Sequence, residues 1–403
     1  MSKINDLIKE MCPNGVEYKT IIECLSQPIT DGPHETPKLV NEGIPFVSVE
    51  AIHDGIVDLK KCRGYITKEY DLICSKKYKP QKYDVYFVKS ASVGKVGIAM
   101  DDSDFNIWSP LAAMRCNFSI MLPRFLFYVL QTERIQKEAI IQSSTSSQPN
   151  LSMRKLEKFT IPVPPLEIQK EIVRILDKFG ELEAELEAEL EARENQYEFW
   201  SGKLLNSGNS NQQYITLGDI GKICMCKRIM KNETSDSGDV PFYKIRTFGK
   251  QADAYISYDI FNDYKKRFSY PKKGEILVSC SGTIGRSVVF DGNDAYFQDS
   301  NIVWLNNDER KILNKFLYYF YQTSPWNVSD GGTIKRLYNN QFISAKVPLY
   351  SLEEQKRIVN ILEQFDKLIN DISEGLPAEI ELRRKQYEYY RNKLLNFEEL
   401  KNE

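Results

Sequence analysis

PLEIQKEIVRILDKF at 165–179 returns as SLEEQKRIVNILEQF at 351–365, with nine of fifteen positions identical. RENQYEFWSGKLLN at 193–206 returns as RRKQYEYYRNKLLN at 383–396, with eight of fourteen identical. The first pair is offset by 186 residues and the second by 190, so the second copy carries four more residues between its two blocks. The repeat also extends upstream. Ile44-Pro45-Phe46-Val47 matches Val240-Pro241-Phe242-Tyr243, and Phe125-Leu126-Phe127-Tyr128 matches Phe316-Leu317-Tyr318-Tyr319. The order is preserved, so the duplication covers nearly the whole chain. Two tandem copies of a globular part plus a long helix suit a two-headed reader with a built-in spacer better than an enzyme with one active site.

Each repeated block opens after a proline-rich lead, Ile161-Pro162-Val163-Pro164-Pro165 and Val347-Pro348-Leu349. In the first, Ile172, Ile175, Leu176, Phe179, Leu182, Leu186 and Leu190 fall at steps of three and four. In the second, Ile358, Ile361, Leu362, Phe365, Leu368, Ile369 and Ile372 do the same. Such stripes predict amphipathic helices that pack on one another as a coiled-coil-like pair. The plainer alternative is that each helix only covers its own domain. At about 40 residues each would run some 60 Å if continuous. Gly375-Leu376-Pro377 predicts a kink or short loop in the second. Glu181 to Ala192 is three units of Glu-Leu-Glu-Ala. One such unit lengthens a helix by about 6 Å and turns its face by only about 40°. It therefore reads as a length-setting element, against the simpler reading of a solvated acidic helix.

The globular copies are expected to be mixed α and β. Apolar runs such as Asp84-Val85-Tyr86-Phe87-Val88 and Glu275-Ile276-Leu277-Val278, bounded by Pro and Gly, read as strands; Phe125 to Ile141 and Lys311 to Gln322 read as helices. The expected fold is α+β, with domains at 1–160 and 207–346 and helical segments at 161–206 and 347–403. Charge is segregated along the same lines. Residues 1–160 and 207–346 carry net charges of +2 and +5, residues 161–206 and 347–403 net charges of −6 and −3. Any nucleic acid should therefore meet the globular parts. The eight cysteines include no CxxC pair, and no run of eighteen apolar residues or signal-peptide pattern occurs, so a reduced, cytoplasmic protein without a membrane span is expected.

Catalytic signatures are missing. The two histidines, His34 and His53, have no companion at metal-ligand spacing. There is no GxxxxGK[ST], no GxGxxG and no Asn/Asp-Pro-Pro-aromatic run of the kind amino-methyltransferases use. What remains is a polar loop present in both copies, Ser90-Ala91-Ser92-Val93-Gly94-Lys95 and Ser281-Gly282-Thr283-Ile284-Gly285-Arg286. Its hydroxyls, backbone N–H groups and single cation suit contact with a phosphate backbone; an ordinary turn between strands is the competing reading. Around it the diverged interiors carry basic residues among aromatics. The DNA-binding candidates are Ser90, Ser92, Gly94, Lys95, Lys76, Lys77, Lys79 and Lys82 in the first copy. In the second they are Lys244, Arg246, Ser281, Thr283, Gly285, Arg286, Lys335 and Arg336.

In combination, these features resemble the specificity subunit of type I restriction–modification systems. The likeness is carried by Leu166-Glu167-x-Gln169-Lys170-x-Ile172-Val173 and Leu352-Glu353-x-Gln355-Lys356-x-Ile358-Val359 after their proline leads. The Gln-Tyr-Glu blocks at 196–205 and 386–395, the two Ser-x-[Ser/Thr]-[Val/Ile]-Gly-[Lys/Arg] loops and the Asn14-Gly15-Val16-Glu17-Tyr18 opening add to it. The resemblance implies two target-recognition domains separated by two long conserved helices packed antiparallel, each domain reading one half of a split, asymmetric double-stranded DNA site. It implies a chain without catalysis or metal of its own. Two modification subunits would bind S-adenosylmethionine and methylate adenine, and restriction subunits would use ATP and Mg. Gln169, Ile172, Ile175, Leu176, Phe179, Leu182, Leu186, Leu190, Gln355, Ile358, Ile361, Leu362 and Phe365 are then expected to form the spacer and to dock the modification subunits. Ala91 and Ser92 stand where the second loop has Gly282 and Thr283, which puts equal backbone geometry in the two loops in doubt. The competing classes are a single-chain DNA methyltransferase or nuclease, and a helical scaffold that does not bind DNA.

Overall fold

The computed structural model describes residues 2–144, 149–205, 212–326, 335–371 and 373–400. The chain divides into two compact units, one of Met1–Glu185 with Ile380–Glu403 and one of Leu186–Glu379. The division runs through the helices and not at their ends. One cut falls between Glu185 and Leu186, inside the Glu-Leu-Glu-Ala repeats.

The first unit begins with α1 (Ser2–Met11), β1 (Tyr18–Thr20), β2 (Thr30–Asp31), β3 (Ile44–Val47), β4 (Ile52–His53), β5 (Ile56–Val57) and β6 (Gly64–Ile66). It continues with α2 (Lys68–Ser75), β7 (Val85–Val88), β8 (Val96–Ile98), β9 (Asn106–Ile107), β10 (Leu111–Met114), α3 (Pro123–Leu130), α4 (Glu133–Gln142), α5 (Met153–Leu156) and β11 (Thr160–Pro162). A sheet of order β2-β10-β7-β8-β5-β4 forms the body, beside a smaller sheet β6-β3-β9 and the pair β1-β11. Both β7 and β10 are buried along their whole length, which suits their Val, Phe, Leu and Ala content. Every residue of α3 except Arg124 is buried, with Pro123 starting the helix where its missing N–H costs nothing. Sequence periodicity ran α3 and α4 together as Phe125 to Ile141. The break comes at Gln131 and Thr132, where the Thr132 hydroxyl donates to Val129 O (2.7 Å) and Gln136 Nε2 donates to Leu130 O (2.7 Å).

The long α6 (Leu166–Leu205) follows. The second unit then repeats the plan with β12 (Tyr214–Thr216), β13 (Gly221–Met225), β14 (Val240–Tyr243), β15 (Tyr255–Ile256), α7 (Tyr258–Arg267), β16 (Ile276–Ser279) and β17 (Ser287–Val289). After these come β18 (Tyr296–Phe297), β19 (Ile302–Asn307), α8 (Asn314–Gln322), α9 (Asn339–Ser344) and β20 (Lys346–Pro348). Its sheets are β13-β19-β16-β17, β15-β14-β18 and β12-β20. The expected second long helix is two helices, α10 (Leu352–Asn370) and α11 (Leu376–Leu394). The break lies at the predicted glycine. A Cβ on Gly375 would sit 2.6 Å from Asp371 O and 2.7 Å from Lys367 O, so no larger residue fits. Ile372, expected in the stripe, lies outside the described residues.

The helices pair antiparallel, as contacts inside each unit show. In the first, the Phe179 ring stacks on Tyr390 (5.4 Å) while Glu183 takes Arg384 Nε (2.6 Å), so rising numbers in α6 meet falling numbers in α11. In the second, Tyr197 lies 6.3 Å from Phe365, and the Tyr350 hydroxyl donates to Leu204 O (3.1 Å). The N-terminal part of each repeated block does something else. Gln169, Ile172 and Leu176 have no exposed surface and join the core of the first unit; Gln355, Ile358 and Leu362 do the same in the second. These six side chains cover their own domain, the plainer of the two expectations, and offer no surface to a docking subunit. Ile175, Phe179, Leu182, Leu186, Leu190, Ile361 and Phe365 are half-buried along the same stripe. No helix among the described residues is long and apolar enough to cross a membrane.

Candidate nucleic-acid interface

The two repeated polar loops join β7 to β8 and β16 to β17. Their backbones are the same despite the different residues: Ala91 has φ +65° and Gly282 φ +66°. The doubt raised by Ala91 is thereby removed, at the cost of holding a residue with a Cβ in the left-handed region. Gly94 N donates to Val88 O (3.0 Å) and Gly285 N to Ser279 O (2.9 Å). A segment just before each helical part pairs with the loop's base. Leu151 N donates to Lys89 O and Leu337 N to Cys280 O, both at 2.8 Å, with Ser90 bridged to Asn150 and Ser281 to Arg336.

Gly94 and Gly285 are framework residues. A Cβ on Gly94 would strike the Gln136 amide, whose Nε2 donates to Gly94 O (2.9 Å). A Cβ on Gly285 would lie 2.7 Å from Trp326 Nε1. Ser92, Lys95 and Thr283 face solvent at the loop tips, whereas Arg286 is turned back, donating to Phe248 O (3.0 Å).

In the second unit three loops and a strand end converge. Ser281 Oγ donates to Asn301 Oδ1 (2.9 Å), and Arg336 Nη2 reaches Ser300 O (3.1 Å) and Oγ (2.9 Å). Close by in sequence, Arg228 pairs with Asp299 (2.8 Å). The turn at 244–248 lies against the same loop, with Ile245 N donating to Gln298 Oε1 (2.9 Å) and Ile245 beside Gly282. So Lys244, Ser281, Thr283, Arg286 and Arg336 come together, with Lys335 exposed next to them. Arg246 is paired with Asp253.

The first unit gathers fewer of its candidates. Lys77 reaches Asp31 Oδ1 (2.5 Å) and the buried Lys89 reaches Asp31 Oδ2 (3.3 Å). Burial alone would raise the Asp31 carboxyl, but Lys77 and then Lys89 outweigh it and hold it below its usual value. Lys79 is committed to Asp71 (3.0 Å) and Asp104. Lys82 lies over the Tyr83 ring (5.2 Å), and Lys76 is exposed. Arg63, a basic residue of the diverged interior, stacks 4.0 Å over Trp108. The residues that periodicity and charge counts did not single out are Trp108, Arg228, Ser300 and Asn150. Trp108 and Gln298 occupy the same place, one residue past β9 and one past β18, where each N–H donates to the strand beside it, Trp108 N to Val47 O and Gln298 N to Tyr243 O (both 2.9 Å), so only the repeat alignment carried to the ends of these strands could have marked them.

The model of the type I restriction modification DNA specificity domain matches this chain twice, over residues 33–192 and 209–382. The chain belongs to that family. A putative type I restriction enzyme specificity subunit of Haemophilus influenzae is 55% identical over 255 residues, covering 61% of this chain and 66% of that protein. The EcoR124I/EcoR124II specificity subunit of Escherichia coli is 31% identical over 318 residues, covering 73% of this chain and 76% of that protein. The fold is shared with a chain of a solved type I restriction–modification complex (TM-score 0.66, 16% identity, 95% and 98% coverage). It is also shared with the HsdS subunit of Thermoanaerobacter tengcongensis (TM-score 0.53, 17% identity, 96% of each chain).

Proposed function

We propose that this chain is the DNA-reading specificity subunit of a type I restriction–modification assembly, each unit recognising one half of a bipartite duplex site. The observation that carries this is the double family match falling on two copies of one loop cluster, alike in backbone and unlike in side chains. Hydroxyls and loop N–H groups suit phosphate contact, while the diverged Arg and Lys residues suit base edges. In this reading the functional parts are target-recognition domains at 1–160 and 207–346, with helical spacers at 161–206 and 347–403. The chain supplies no chemistry. Two modification subunits bring S-adenosylmethionine and methylate adenine, and restriction subunits bring ATP and Mg. The assembly works in the cytoplasm.

Adding one Glu-Leu-Glu-Ala unit after Ala192 is expected to leave both half-site sequences intact and widen the gap between them by about one or two base pairs, from ~6 Å of helix against 3.4 Å per base step. Mapping methylated adenines in cells that carry the chain with its modification subunits reads this directly. Altered half-sites would show that the helix is not a spacer. No bipartite preference at all would overturn the reading.

A further inference from the structure

The two units differ at one sheet edge. In the first, β8 is followed in the sheet by β5 and β4; in the second, β17 has β16 as its single sheet neighbour among the described residues. The cause is local. Pro45 pairs with Tyr65, twenty residues on, whereas Pro241 pairs with Tyr255, fourteen residues on. The longer excursion holds the β4–β5 hairpin, and the shorter one has no counterpart among the described residues.

The first unit shows what fits this place. Gly55 O accepts from Ile98 N (3.1 Å), and Ile56 pairs with Ile98 in parallel. The hairpin turn packs so closely on Phe127 that a Cβ on Gly55 would lie 2.6 Å from its ring. By register, Val289 is the counterpart of Ile98, and by the repeat Tyr318 is the counterpart of Phe127. In the second unit Val289 is 42% exposed and, with Tyr318, lines an open cleft of about 490 Å³. Phe290 N donates inward to Glu275 O (2.9 Å), so the N–H of Val289, next along the strand, faces outward. An edge unpaired among the described residues, with an exposed apolar side chain beside an open cleft, is the geometry for adding a strand. The cleft also carries Glu363, Asp366 and Asp371. Lys315 is committed to Glu363 (2.5 Å) and Lys367 to Glu374 (2.6 Å), so Asp366 and Asp371 have no ion-pair partner among the described residues. That charge repels nucleic acid and suits Lys or Arg.

We propose that the β17 edge and its cleft dock an extended segment of a protein partner, which adds one strand to this sheet and carries a basic side chain opposite Asp366 and Asp371. The proposal rests on the reading that the chain works in an assembly. It is tested with the full chain co-expressed with its modification subunit. V289P removes an outward N–H and leaves the bonds to β16, while V289K removes the apolar anchor and opposes a basic segment. A benzoylphenylalanine at position 289 marks the occupant by photo-cross-linking. Both variants are expected to weaken assembly at least ten-fold, with the melting of the isolated chain and its affinity for bare duplex unchanged, and the cross-link falls on the modification subunit. If V289P alters folding, V289K decides. Undiminished assembly, or a cross-link to DNA or to this chain's own 206–211 or 327–334, overturns this proposal alone. No assembly by the wild-type chain overturns the functional reading and this proposal with it.

Discussion

The two units keep one frame and spend it differently. Gln169 and Gln355 each make the same three hydrogen bonds from a fully buried amide. Each accepts from the N–H before a core helix, Leu122 or Leu313, and donates to two carbonyls, Ile120 and Pro164 or Lys311 and Tyr350, at 2.8–2.9 Å. The ring pair between helices repeats too, with Phe179 to Tyr387 at 6.4 Å and Phe365 to Tyr197 at 6.3 Å. Away from the frame the chemistry departs. Where the first unit buries Asp84 against Arg115 (2.7 Å) and the Tyr78 hydroxyl (2.5 Å), the second buries Glu275 with, among the described residues, only the N–H of Lys272 (2.7 Å) on its carboxylate. Joints between helix and domain tolerate little change because their hydrogen bonds have no water to fall back on. The sheet ends and loops tolerate much, and recognition can diversify there.

The largest break in the symmetry should come from the frame. Gln169→Ala and Gln355→Ala each leave three buried polar groups unpaired, and each is expected to cost about 3 kcal/mol. Denaturant unfolding followed by probes in the separate units should place each loss in its own unit, with similar size. Unequal losses, beyond about 1 kcal/mol, would mean that the frame is not equivalent.

The buried acids should separate the units next. Asp84→Asn strips Arg115 of its charge partner and should destabilise by about 2 kcal/mol. Glu275→Gln should be neutral or stabilising at pH 7, because burial pushes the Glu275 carboxyl up and little opposes it. The sign follows from linkage. The folded protein holds that proton more tightly than the unfolded chain, so stability from this site grows as pH falls and is lost as pH rises past the folded value. Asp31 has the opposite sign: its carboxyl is held low, so its contribution is present above the unfolded value and fades as pH drops through the folded one. Melting curves from pH 3 to 7 on Asp31→Asn and Glu275→Gln should show the two slopes change in opposite directions.

On DNA, Arg336→Ala should weaken binding about ten-fold and relax only the half-site read by the second unit, an effect of the size of one lost charged contact. Lys79→Ala should change affinity by less than about two-fold, since Asp71 and Asp104 already hold that charge. Competition binding with duplexes altered in one half at a time distinguishes them. The smallest effect sharpens the loop comparison. Ala91→Gly should stabilise by up to about 1 kcal/mol and Gly282→Ala destabilise by about as much, because both positions need the left-handed backbone.

Much of this is legible in the sequence. Periodicity marked α6, α10 and the break at Gly375, and the repeat marked both loops. Three things were not legible, for a common reason: they depend on partners distant in sequence. The β4–β5 hairpin is six residues of short, mixed pattern whose meaning comes from β8, some forty residues later. The stack of Arg63 on Trp108 joins positions that no local rule connects. The stripe residues Ile172 and Ile358 carry helical spacing whatever they face, so spacing alone could not say that they face their own domain.

One consequence lies in the order of synthesis. The first unit needs residues from the far end of the chain: Leu394 and Leu395 sit in its core, the Tyr18 hydroxyl donates to Phe397 O (3.0 Å), and Val16 bridges Glu399. A ribosome makes its body first and its closing piece last. The unit begun second, Leu186–Glu379, has all its parts earlier. Until those last residues emerge, the apolar seam of the nascent first unit stays open. A premature stop shortly after Glu379 would therefore damage the unit that begins some 380 residues upstream and leave the nearer one whole.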